Sequence, residues 1–89
     1  MTHDQYDAIL SELESRGKLY DERRISHVSF DRNGTWCVVD VWESAESFND
    51  FAQSQLMSIF AKLGINVPQP TVLPAHLYLG AHAEASISV

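Results

Sequence analysis

The sequence predicts an α+β domain with the element order helix, strand, strand, helix, strand, and three observations carry that expectation. Two stretches place apolar residues at helical spacing. Between them, an Asn-Gly pair joins two β-prone runs. After the second stretch comes a short apolar run bordered by prolines and a glycine. Helices alternating with an antiparallel hairpin are expected to lie on one face of a shared sheet.

The first helix is expected over about residues 3–16. Thr2 and Gln5 have the spacing of a capping box, and Tyr6, Ile9, Leu10 and Leu13 form an apolar stripe. Gly17 offers a stop, and the polar run 18–24 reads as a loop. Residues 25–30 read as a strand, Asp31-Arg32-Asn33-Gly34 as a turn, and 35–42 as an interior strand apolar on both faces. Ser44 is placed to cap a second helix, with Glu46 in its first turn. Phe48, Phe51, Ala52, Leu56, Ile59, Phe60 and Leu63 continue its stripe to Gly64. Residues 65–70 form a loop. Residues 71–79 read as a last strand, with Pro74 favouring an edge or a bulge. In the tail, Ala83, Ala85, Ile87 and Val89 alternate with polar residues, as one more strand would.

Bulk properties narrow the classes. Eighty-nine residues make one domain, 1–89. A domain of this size buries only roughly 60% of its unfolded surface. One cysteine, Cys37, rules out a disulfide framework and fits a reducing cytoplasm. No CxxC or Cys/His cluster suggests a structural zinc, and His27, His76 and Asp40 match a 2-His-1-carboxylate triad in composition but not by spacing. Association into a homodimer is then the expected source of further burial. The net charge of -6 argues against nucleic-acid binding, and no apolar run is long enough for a membrane helix.

A two-residue turn at Asn33-Gly34 makes the numbers of paired residues sum to 67. His27 then faces Asp40, Ser29 faces Val38, and Ile25 faces Trp42. A four-residue turn changes the partners but keeps the faces. Alternation puts Ile25, His27, Ser29, Trp36, Val38, Asp40 and Trp42 on one face, and Val28, Phe30, Cys37, Val39 and Val41 on the other. The uniformly apolar face is expected under the helices. The mixed face suits a ligand cavity, which His76 and Tyr78 of the last strand would join. His27, Asp40 and His76 are the catalytic candidates, with Asp40 orienting an imidazole acid/base. Trp36, Trp42 and Tyr78 are the ligand-binding candidates. The simpler reading weighs more for both: a cross-strand His–Asp pair is more often a structural pair whose members satisfy each other, and the two tryptophans are more often core. Cys37 reads as an inert core thiol. His3, Glu12, Glu14, Asp21 and Glu22 read as solvated surface.

At Asp40-Val41-Trp42-Glu43-Ser44, followed by Phe48, the chain resembles small proteins of the dimeric α/β-barrel superfamily, which includes antibiotic-biosynthesis-monooxygenase-like domains. Gln5-Tyr6-Asp7, Ser26-His27-Val28 and Leu73-Pro74-Ala75-His76 extend the resemblance over most of residues 2–80. It implies a ferredoxin-like plan, βαββαβ, with two sheets facing each other across a dimer. The chain begins at the first helix of that plan, so its central first strand is missing. Residues 83–89 are expected to fill the slot in the same or the partner subunit; alternatively, the last strand pairs with 35–42 and the tail stays loose. The resemblance also implies a small aromatic or polyketide-like ligand in the barrel interior. Any catalysis would be a cofactor-independent monooxygenase, isomerase or cyclase reaction. No histidine lies between Ser44 and Leu63, which argues against haem. The leading expectation is binding or acid/base transformation of a small organic molecule. The alternative is a non-catalytic interaction or regulatory domain with a packed interior. A fold alone does not choose between them.

Overall fold

The computed structural model describes residues 1–78. Its elements in chain order are α1 (His3–Ser15), β1 (Arg24–Arg32), β2 (Thr35–Trp42), α2 (Ala45–Phe51), a π-helical turn (Ala52–Leu56) and α3 (Met57–Leu63).

Helix α1 starts where the capping box places it. The Thr2 hydroxyl accepts from the Gln5 amide at 3.1 Å, and the Gln5 side chain accepts from the Thr2 amide at 2.9 Å. Two otherwise orphaned N–H groups are thereby satisfied. Ser44 caps α2 by accepting from the Ser47 amide at 3.1 Å. Residues 45–63 run as one helix interrupted by the π turn. Phe51 and Leu56 both reach the core although they are five residues apart, and the five-residue bonding of a π turn brings that spacing into line. Gly64 stops the helix at φ 66°, ψ 31°, the left-handed conformation of a C-terminal glycine.

The hairpin register matches its expected sum: His27 pairs with Asp40, Val28 with Val39 and Ser29 with Val38. Asn33 and Gly34 both have positive φ, 52° and 88°, as a two-residue turn of the hairpin hand requires. One pairing differs. A bulge between Arg24 and Ser26 sets Arg24, not Ile25, opposite Trp42. The Arg24 guanidinium lies over the Trp42 ring, 5.7 Å from its centroid, and donates to the Leu19 carbonyl. Ile25 is left exposed.

The core lies between α1, the 45–63 helix and one end of the sheet. Ile9, Leu13, Phe51 and Ile59 form its centre, with Leu19, Trp42, Leu56 and Phe60 around them. Glu12 clasps α1 to α3, bonding Arg16 at 3.2 Å and the Lys62 ammonium at 2.8 Å. Lys62, then Arg16, hold the Glu12 carboxyl below its ordinary range.

The ferredoxin-like barrel does not form. Among the described residues the sheet has two strands and stays open, so the resemblance to antibiotic-biosynthesis-monooxygenase-like dimeric α/β barrels fails at its architecture. The expected last strand is absent over 71–78, which are neither strand nor helix and are all exposed. Pro74 cannot donate to a ladder, and Pro68 and Pro70 hold the approach extended. Leu79 and the expected strand over 83–89 lie outside the described residues.

The two sheet faces are also exchanged relative to expectation. The helices cover the mixed face: Tyr6 meets Trp36 and His27, and Trp42 meets Phe48 and Phe51. Large aromatic rings fill the wedge between sheet and helices better than valines do, and the Tyr6 hydroxyl and the Trp42 indole find partners there. The uniformly apolar face carries Val28, Phe30, Cys37, Val39 and Val41, and among the described residues no helix lies over it. Val28 and Val39, a cross-strand pair, are each 55% exposed.

Candidate functional site

The chemistry-bearing side chains of the hairpin form one hydrogen-bonded line under α1. The Tyr6 hydroxyl lies 2.7 Å from His27 Nε2. His27 Nδ1 lies 2.5 Å from Asp40 Oδ1. The Trp42 indole donates to Asp40 Oδ2 at 3.2 Å. Each position follows from local structure. Register puts His27 directly across from Asp40, a distance of two between Asp40 and Trp42 keeps them on one face, and Tyr6 hangs from the first turns of α1 over His27 and Trp36. In a neutral ring, Nδ1 donating to the carboxylate leaves Nε2 to accept from the phenol. Tyr6 is buried, and the His27 and Asp40 side chains are 30% and 20% exposed.

The line is closed at both ends. Both imidazole nitrogens and both carboxylate oxygens of Asp40 have protein partners. Beside it, His3 stacks on Trp36 at 4.3 Å, and the Trp36 indole N–H is buried without a partner among the described residues.

Of the expected site, His27, Asp40, Trp36 and Trp42 are on the same face. His76 and Tyr78 stand in the exposed segment 71–78, which is neither helix nor strand. Tyr6 was not among the expected members. Its spacing to Ile9 and Leu13 marked it as core, which it is, and the sequence carries no signal for the reach of its hydroxyl across to β1. Cys37, expected under the helices, is on the open face.

No family model, curated protein or solved structure matches this chain. The geometry must therefore carry any functional reading.

Two open clefts lie elsewhere. One of about 420 Å³ is bordered by Lys18, Asp21, Arg23 and Asp50. The other, about 520 Å³, lies between α3 and the 64–70 loop. Neither includes His27 or Asp40. In the first, Arg23 is held by Asp21 at 2.7 Å and Asp50 at 2.8 Å, so its charge is already matched. Among the described residues no cluster of acidic, histidine or cysteine side chains is arranged to hold a metal, and no helix is long and apolar enough to cross a membrane.

The Asp21 carboxyl, expected as free surface, is the anchor of the 18–24 loop. Side-chain and backbone hydrogen bonds from Arg23 lower its pKa from 3.8 to about 2. A carboxyl with a depressed folded-state pKa stabilises the fold above its unfolded value. That contribution fades as pH falls from about 4 to about 2. Asp21→Asn is therefore expected to lower the melting temperature at pH 6 and to match the parent near pH 2. A melting-temperature difference that stays constant over that range would show that the ion pair is not the cause.

Proposed function

We propose that this chain is a non-catalytic interaction module that pairs with a second copy of itself through the uncovered face of its hairpin. The observation that carries this reading is the cross-strand pair Val28 and Val39, flanked by Phe30 and lying open to solvent beside a sheet face that is already filled. The centre of this face has no charged side chain, so two copies of a chain with net charge -6 can meet there without setting like charges together. A two-fold contact also uses every side chain twice. Burying a valine or phenylalanine contributes roughly 1.5–3 kcal/mol, which makes a doubled patch of this kind a substantial driving force before association entropy is counted.

The acid/base reading has less support. Both ring nitrogens of His27 already have protein partners, and His76 lies in an exposed segment that is neither helix nor strand. The histidine–aspartate pair is better explained as the polar fastening of α1 to the hairpin.

Sedimentation velocity tests the proposal. The parent chain is expected to run as a dimer at micromolar concentration. Val28→Asp combined with Val39→Asp is expected to weaken association by at least roughly a hundredfold, a change of about 2.7 kcal/mol. The far-ultraviolet circular dichroism of that variant should be unchanged, because neither side chain contributes to the monomer core. A parent chain that is monomeric at every accessible concentration would overturn the reading.

A further inference from the structure

We propose that residues 71–78 of one copy add as an edge strand along β2 of a second copy, the two copies exchanging these segments symmetrically. This rests on the self-association reading above and specifies what holds the two copies together.

The donor segment is visible in the exposure pattern. All of residues 71–78 are exposed, although they include Val72, Leu73, Leu77 and Tyr78. Leu73 is 77% exposed and Leu77 71%. Segments this apolar are ordinarily buried against something. Pro68 and Pro70 border the cleft beside α3, and from residue 71 to 78 the chain joins neither helix nor strand.

The acceptor is the outer edge of β2. In a hairpin closed by a two-residue turn, Thr35, Cys37, Val39 and Val41 direct their backbone groups toward β1. Trp36, Val38 and Asp40 direct theirs outward. The Trp36 amide already donates to the Met1 carbonyl at 2.9 Å, so this edge accepts a passing backbone. Among the described residues, the outward backbone groups of Val38 and Asp40 have no such partner. The opposite edge, on β1, is a poorer acceptor. It carries Arg24, Asp31 and Arg32, and charged side chains are a standard means of blocking an edge.

Pro74 then orients the donor. It has no N–H, so in an added strand it must point away from β2. Alternation turns the amides of Leu73, Ala75 and Leu77 toward β2 and those of Val72, His76 and Tyr78 away. Strand addition of this kind takes its affinity from main-chain bonds. Either sheet face receives apolar side chains, Leu73 and Leu77 on one and Val72 and Tyr78 on the other.

The orientation gives a test that composition alone cannot mimic. Ala75→Pro removes an inward donor, whereas His76→Pro removes an outward one. Both sit in a segment that adds nothing to the monomer core, so both variants should fold. By sedimentation velocity, Ala75→Pro is expected to weaken dimerisation at least tenfold, and His76→Pro to change it less than threefold. Equal effects of the two substitutions, or none from Ala75→Pro, would overturn strand exchange. If Val28→Asp with Val39→Asp still dissociated such a dimer, face-to-face pairing would stand without exchange. A monomeric parent chain would overturn both proposals.

Discussion

Ile59→Ala is expected to lower the unfolding free energy by about 2–5 kcal/mol, the range for truncating a buried aliphatic side chain to alanine. Ile59 is the one large side chain with 0% exposure among the described residues, enclosed by Ile9, Leu13 and Phe51. Small domains often have only about 5 kcal/mol in total. A cavity at this point therefore removes a large part of the margin. The surroundings have little capacity to relax, because α1 and α3 are pinned across the site by Glu12, Arg16, Lys62 and Ser58. Met57→Ala, on the exposed side of the same helix, is the control and should fall within about 0.5 kcal/mol of the parent. Urea denaturation followed by circular dichroism measures both. Equal midpoints for the two variants would mean that the core is not centred on Ile59.

How this core was legible in the sequence, and where legibility stopped, follows from the range of the forces involved. The capping box at Thr2 and Gln5, the Asn33-Gly34 turn and the Gly64 stop are local. Each is decided by hydrogen bonds and φ values within four residues, and each is where the pattern put it. The register from His27 to Asp40 follows from the turn alone. The bulge at Ile25 does not, because it depends on the Arg24 guanidinium finding Trp42, Phe51 and the Leu19 carbonyl at once. Which sheet face the helices cover is a tertiary choice as well. Counting apolar residues favoured Val28, Phe30, Val39 and Val41 for the interior. The wedge took Trp36 and Trp42 instead, because aromatic volume, with the bonded indole N–H of Trp42, outweighed uniform apolarity. A barrel requires further strands, and residues 71–78 do not supply one to their own sheet.

The site followed the same division. His27 and Asp40 were found from register because they are cross-strand neighbours. His76 was joined to them only through a strand that does not form. Tyr6 was missed because a helical stripe reveals the face of a residue but not the partner of its terminal atom.

That hydroxyl makes the second large effect testable. Asp40 accepts from two donors, His27 Nδ1 and the Trp42 indole, and both would be stranded in a partly buried place by Asp40→Ala. Hydrogen bonds to a charged group contribute roughly 1.5–3 kcal/mol, so a loss of about 3 kcal/mol is expected. Tyr6→Phe removes one neutral partner of the same imidazole and should cost about 1 kcal/mol. The two changes should not add. Without Asp40 the ring of His27 is free to turn, and the Tyr6 hydroxyl then loses a fixed acceptor whether or not it is present. The double-mutant cycle is expected to give a coupling of at least about 0.5 kcal/mol, in the range for groups in one network. Strict additivity in urea denaturation would mean that Tyr6, His27 and Asp40 are neighbours without being a unit. Coupling with an unchanged dimerisation constant would fit a polar line that fastens α1 to the hairpin and takes no part in the proposed self-association.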